Sequence, residues 1–239
     1  MKKFNLLKLF PTFVLILTVG CSPNTNDPEF LNKIEGRYLF TADETVNVYS
    51  KDNMVLLEWR GADAIKPSKI NDDIFYVKEM NAKIKFLTNP EDQKEYLVFL
   101  PKNKDDKIEY IHKKLSVEEK TPSEYLANSE FEKALEGYQA IQAKDSMSPL
   151  LNWWEFDRKG RRYQDIDSLE LAMGIFKINA VLHPKEPDVY VRLGRAYLTS
   201  KDTVNALTNY KKALEFDSGN RRLKERIEEL QGKEAENTN

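Results

Sequence analysis

Thirty-four residues separate two copies of one helical pattern in the C-terminal half of the chain, and that spacing constrains the fold more than any other feature. The copy beginning at Pro187 carries Tyr190, Leu193, Gly194 and Tyr197, then Ala206, Tyr210 and Ala213. One period earlier the same slots hold Phe156, Lys159, Gly160 and Tyr163, then Ala172, Phe176 and Asn179. These residues recur at helical spacing in two runs separated by a turn. Gly and Ala let two antiparallel helices approach closely, and the aromatics lock the space beside the crossing. A helix pair of this kind leaves an apolar face that only another pair can cover, so the pairs stack.

Two departures stand out in the first copy: Lys159 in an apolar slot and Asn179 in a small one. Pro184 closes that copy, whereas Ser218 holds the corresponding place in the second. Upstream, Phe131, Ala134, Leu135, Tyr138 and Ile141 repeat the second-helix spacing, behind a short first helix at about 123–128. Downstream, Leu223, Ile227 and Leu230 make a narrow apolar stripe in an otherwise charged segment, as expected of a helix that caps a stack against water. Residues 121–231 therefore resemble the tetratricopeptide-repeat family, with a degenerate first unit, two full units and a capping helix. The resemblance implies a protein-binding module rather than an enzyme, and residues 232–239 are expected to form a disordered tail.

Residues 30–116 have a different texture. Short strand-like runs cover 37–40, 46–49, 54–59, 74–77, 83–87, 96–100 and 108–111, several of them alternating with period two, with Asp-Asn, Asn-Asp-Asp and Asn-Pro turn signals between them. About seven strands at this spacing predict an antiparallel β barrel or sandwich, and the whole chain is read as a two-domain α+β protein. Leu31, Ile34, Gly36 and Tyr38, with Phe75 and Ile84-Lys85-Phe86, resemble the small β domain that follows the catalytic domain in many β-lactamase-related serine hydrolases. Some of those hydrolases also end in tetratricopeptide-like helices, to which the stretch from Ala172 to Leu214 is similar. This second resemblance implies a ligand-binding or accessory β domain working with a separate serine hydrolase, the repeats then acting as support.

The first 20 residues read as a signal peptide: Lys2, Lys3 and Lys8, an apolar run from Leu9 to Val19, and a small residue before Cys21. The run is too short to span a bilayer, which takes about 20 apolar residues. Cys21 is the only cysteine, so it has no internal disulfide partner. Thr18-Val19-Gly20-Cys21 resembles the lipobox of bacterial lipoproteins, with Thr18 in place of the usual leucine. The resemblance implies that Cys21 becomes the acylated N-terminus, that residues 21–29 are a lipidated tether, and that the protein sits in the bacterial cell envelope. Ser22 is of the kind seen in lipoproteins sorted to the outer membrane. The other reading is an ordinary signal peptide with an incidental cysteine. Loss of the three signal lysines would take the formal charge from −2 to about −5, which carries no bias toward nucleic acid.

Motifs for chemistry are missing. The chain has no Ser-x-x-Lys, Lys-Thr-Gly or Gly-x-Ser-x-Gly, no Gly-x-x-x-x-Gly-Lys and no His-Glu-x-x-His, so no catalytic residue, metal or cofactor is expected. His112 and His183 read as structural, Asp165 and Asp167 as the start of a helix near Ser168, and Asp105-Asp106 as a loop tip. One pattern could carry binding. Arg158 and Arg161 recur as Arg192 and Arg195, with Arg162 beside them and Trp154 nearby, on the helices expected to line the groove of the stack. A ladder of guanidiniums suits carboxylates, so the expected partner is a protein with an acidic segment or free C-terminus. Pairing of the same arginines with Glu155, Asp157 and Asp188 is the alternative.

Overall fold

The computed structural model describes residues 26–103 and 105–237; the signal segment and Cys21 lie outside them. Helix α1 (Pro28–Ile34) opens the described chain, with the Asp27 carboxylate accepting the Glu29 N–H at 3.1 Å. Its start lies within the expected tether: Asn26 is already buried and donates to the Asn53 carbonyl from both its backbone and its side chain. Leu31 and Ile34 turn inward, and the Tyr38 hydroxyl donates to the Ile34 carbonyl at 2.8 Å, fixing the corner from helix to sheet. Gly36 makes that corner at φ +140°, where a Cβ would meet the Lys114 side chain at 2.7 Å.

Two antiparallel sheets follow. The first runs β1 (Gly36–Thr41), β2 (Glu44–Lys51), β3 (Met54–Trp59) and β4 (Ala62–Ile65). The second runs β5 (Ser68–Lys69), β6 (Ile74–Val77), β7 (Ala82–Thr88), β8 (Glu95–Phe99) and β9 (His112–Lys113). Both contribute to a single core in which Tyr38, Val46 and Leu57 of one sheet meet Phe75, Ile84 and Leu97 of the other. Along one side they touch through a Tyr38–Lys114 bridge and the Leu115 N–H to Arg37 carbonyl bond at 2.7 Å.

The sheets do not close, so the barrel expectation is corrected. Closure fails at β4 and β5. Ala64 takes φ +54°, the register against β3 breaks, and Pro67 offers no N–H between two short edge strands. Both strands escaped the sequence reading because Ala-Asp-Ala and Ser-Lys have little β propensity. The strand expected at 108–111 is replaced by His112–Lys113, where His112 pairs with Leu97 and its ring stacks on Phe40 at 5.1 Å.

The remainder is helical: α2 (Pro122–Ala127), α3 (Phe131–Lys144), a single 3₁₀ turn (Pro149–Leu151), α4 (Trp153–Asp165), α5 (Leu169–Leu182), α6 (Pro187–Thr199), α7 (Thr203–Phe216) and α8 (Arg221–Asn237). The repeat residues do what their sizes dictate. The Tyr210 ring lies over Gly194 and the Phe176 ring over Gly160. The buried Asn179 uses its amide to donate to the Trp153 carbonyl at 2.9 Å, tying α5 to the first turn of α4. Leu223, Ile227 and Leu230 of α8 are buried against the last pair. Asp167 makes a left-handed turn at φ +59° instead of capping, and Ser168 holds the N-cap position of α5 without a side-chain bond. Helix α8 continues to Asn237, through most of the expected disordered tail.

A Cβ at position 194 would stand 2.5 Å from the Tyr210 ring and 3.2 Å from the Ala206 carbonyl. Gly194→Ala should therefore lower unfolding stability by about 1–3 kcal/mol despite its better helix propensity. Gly232→Ala, with nothing within 4 Å, should leave stability unchanged or slightly raised. Urea denaturation of the two variants checks both signs.

Candidate functional site

The two halves are joined through a carboxylate at the tip of the β1–β2 hairpin. Asp43 accepts the Ser123 backbone N–H and the Ser123 hydroxyl, each at 2.6 Å, and the Tyr138 hydroxyl at 3.0 Å. It thus satisfies a donor in the first turn of α2 and reaches α3 in one step. From α4, the Lys159 ammonium donates to the Ser123 hydroxyl at 3.0 Å. Lys159, the misfit in the repeat pattern, is thereby explained: its slot faces a carboxylate from the β region. Burial pushes the Asp43 carboxyl above its ordinary range, while the bonds from Ser123 and Tyr138 and the Lys159 charge pull it back. Burial lowers the Lys159 ammonium, and Asp43 opposes that shift.

The Ser123 proton is donated to Asp43, and Lys159 is a donor to the serine oxygen, so the hydroxyl is committed on both sides.

A second brace lies alongside. Arg37 of β1 contacts Glu124 at 2.6 Å and donates to the Glu119 carbonyl at 3.0 Å. Glu124 also completes the capping box of α2 with Thr121. Glu119 in turn takes the Lys113 ammonium at 2.6 Å and the Ser116 N–H at 2.8 Å, and these bonds hold its carboxyl down at about 2.

The six residues singled out for binding separate into four settings. Arg158 pairs with Glu155 and sits over the Trp154 ring at 6.0 Å. Arg161 and Arg192 both close on the buried Asp157, Arg161 at 3.1 Å from its own helix and Arg192 from the next repeat, which cross-braces α4 to α6. Arg162 lines a cavity of about 610 Å³ between the Asp43 turn, α3 and α4. Arg195 lines another of about 440 Å³ between α6 and α8, with Val191, Leu198 and Tyr210.

That second cavity contains two arginines outside the expected set, Arg222 and Arg226. Arg226 lies one 34-residue period beyond Arg192, so extending the repeat into α8 was the signal that could have found it. Arg226 is held by Glu229 at 2.7 Å. Burial pushes the Tyr210 phenol up while the charges of Arg195 and Arg226 pull it down, a mark of the positive field there. Among the described residues, neither Arg162 nor Arg195 has a carboxylate within ion-pair distance.

The histidines lie apart from both cavities in structural settings. His112 meets the Leu39 carbonyl at 3.2 Å, His183 lies 6.4 Å from the Phe156 ring, and burial lowers both imidazoles. Among the described residues no cluster of His, Cys, Asp or Glu is arranged to hold a metal.

Removing the Asp43 carboxylate leaves the hydroxyls of Ser123 and Tyr138 and the Lys159 charge without their common partner. Asp43→Ala should cost about 1–3 kcal/mol. Adding Lys159→Met, which restores an apolar residue to the repeat slot, should recover part of that loss. A double-mutant cycle by chemical denaturation measures the coupling. Glu119 has the opposite pKa shift to Asp43. Its folded-state value is depressed, so its contribution is present above the ordinary value of 4.5 and is lost as pH falls toward about 2. Glu119→Gln should flatten the stability–pH curve over that acid window, measured by thermal unfolding across it.

No protein-family model and no curated protein matches the chain. Solved structures match about half of it. The first tetratricopeptide domain of Spaghetti (RPAP3), bound to an HSP90 peptide, is 16% identical with TM-score 0.33, covering 48% of this chain and 87% of that one. The Sgt2 tetratricopeptide domain from Aspergillus fumigatus is 24% identical with TM-score 0.34, covering 49% and 76%. The Yersinia enterocolitica type III secretion translocator chaperone SycD is 18% identical with TM-score 0.33, covering 48% and 81%. The tetratricopeptide-like arrangement itself rests on this chain's own helix pairs, their 34-residue period and the glycine–aromatic crossings.

Proposed function

We propose that this protein is a lipid-anchored adaptor of the bacterial cell envelope that binds an acidic segment or C-terminus of a protein partner in the groove between α6 and α8. The observation that carries the reading is the cluster of Arg195, Arg222 and Arg226 around a cavity with apolar walls from Val191, Leu198 and Tyr210. Guanidiniums over apolar surface suit a carboxylate-bearing peptide: the charge sets orientation and the walls supply burial. Arg161 and Arg192 serve the groove indirectly by fixing α4 against α6 through Asp157. The β region presents the array rather than a ligand, a reading supported by the side chains that fill its core, Tyr38, Leu57, Ile84 and Leu97 among them. The anchor rests on Gly20-Cys21 and the apolar run before it.

The test uses the full chain in bacterial cells. Photo-crosslinkers placed at Leu198 should trap a discrete partner, and Arg195→Glu with Arg222→Glu should abolish the product without lowering thermal stability. An unchanged crosslink in that double variant would sink the groove reading. In the same cells, Cys21→Ser should move the protein from the membrane to the soluble fraction, and retention in the membrane would remove the anchor from the proposal.

A further inference from the structure

The cavity beside Asp43 is a consequence of a shortened helix. Helix α2 has 6 residues where its counterparts α4 and α6 have 13, so the face of α4 that a full preceding helix would cover is left open. The β1–β2 turn reaches into that space with Asp43 and leaves about 610 Å³ unfilled. A volume of this order is within the range of small-molecule sites, about 300–1,000 Å³.

Its lining separates by chemistry. Phe156 of α4, the Tyr138 ring and Leu150 give it apolar walls. Four charged neighbours are already matched: Arg158 with Glu155, and Lys159 with Asp43 through Ser123. Arg162 is the remaining cation, exposed, with no carboxylate in ion-pair reach among the described residues. One unbalanced guanidinium beside an apolar pocket is the complement of one carboxylate on an apolar body.

We propose that this interdomain cavity binds a small organic monoacid, with Arg162 taking the carboxylate and Phe156, Tyr138 and Leu150 enclosing the apolar part. The site is separate from the groove between α6 and α8 and does not depend on the adaptor reading. Because the ligand would touch both the Asp43 turn and α4, its binding would also tighten the junction between the two halves.

Octanoate is the probe, titrated into the full chain by isothermal calorimetry, with octanol as the uncharged control. The expected result is a 1:1 complex with octanoate, about tenfold or more weaker binding of octanol, and a similar loss for octanoate with Arg162→Glu. Arg162→Gln should show an intermediate loss, and Arg195→Glu none. No saturable octanoate binding, equal binding of octanol, or undiminished binding to the folded Arg162→Glu variant would overturn the proposal. A loss in Arg195→Glu with none in Arg162→Glu would assign the ligand to the other groove and overturn it equally.

Discussion

One carboxylate holds the two halves of this molecule in register. Asp43 stands on a two-residue turn between β1 and β2, so its position is set by the sheet, yet its carboxylate accepts from Ser123 and Tyr138 of the helical half. It terminates α2 from outside, fixes Tyr138 on α3 and reaches the Lys159 charge on α4 through a single hydroxyl. A half-buried group with several partners of this kind depends on all of them together, which makes the junction specific as well as stable. The geometry of the neighbouring cavity follows from it: the turn that brings Asp43 also forms one wall of that space.

A second carboxylate, this one buried, organises the array itself. Asp157 draws Arg161 from its own helix and Arg192 from the next, using two cations that the repeat pattern places in the groove. What remains available is therefore set by subtraction. Among the described residues, Arg195 at one end of the array and Arg162 at the other, near the β region, have no carboxylate in ion-pair reach and line the two cavities. A repeat that looks uniform in sequence thus has two chemically distinct ends, one open beside a capping helix and one enclosed by a neighbouring domain.

Much of the fold was legible. The glycine–aromatic crossings at Gly160 and Gly194 and the stripe of Leu223, Ile227 and Leu230 depend on side-chain volume at fixed helical spacing, and both are read directly from the chain. Among the described residues, six of the nine strands overlap the short apolar or alternating runs legible in the chain. The misses have physical reasons: β4 and β5 are short, weakly β-forming edges, and His112 pairs where a tertiary contact with Phe40 and Phe99 holds it rather than where the apolar run lies. Lys159 was visible as an exception, but its partner sits more than a hundred residues away on an unremarked turn. Arg222 and Arg226 were read only as charges on a capping helix, although the repeat period carries straight into it.

The sequence by itself determined the helix pairs, their period, the apolar faces that make them stack and the presence of a separate β region, because each follows from local periodicity and residue size. The tertiary structure decided which charges are free and where space remains between the halves. Those depend on pairings such as Asp43 with Ser123 and Asp157 with Arg192, between residues 80 and 35 positions apart, whose distances no local pattern encodes.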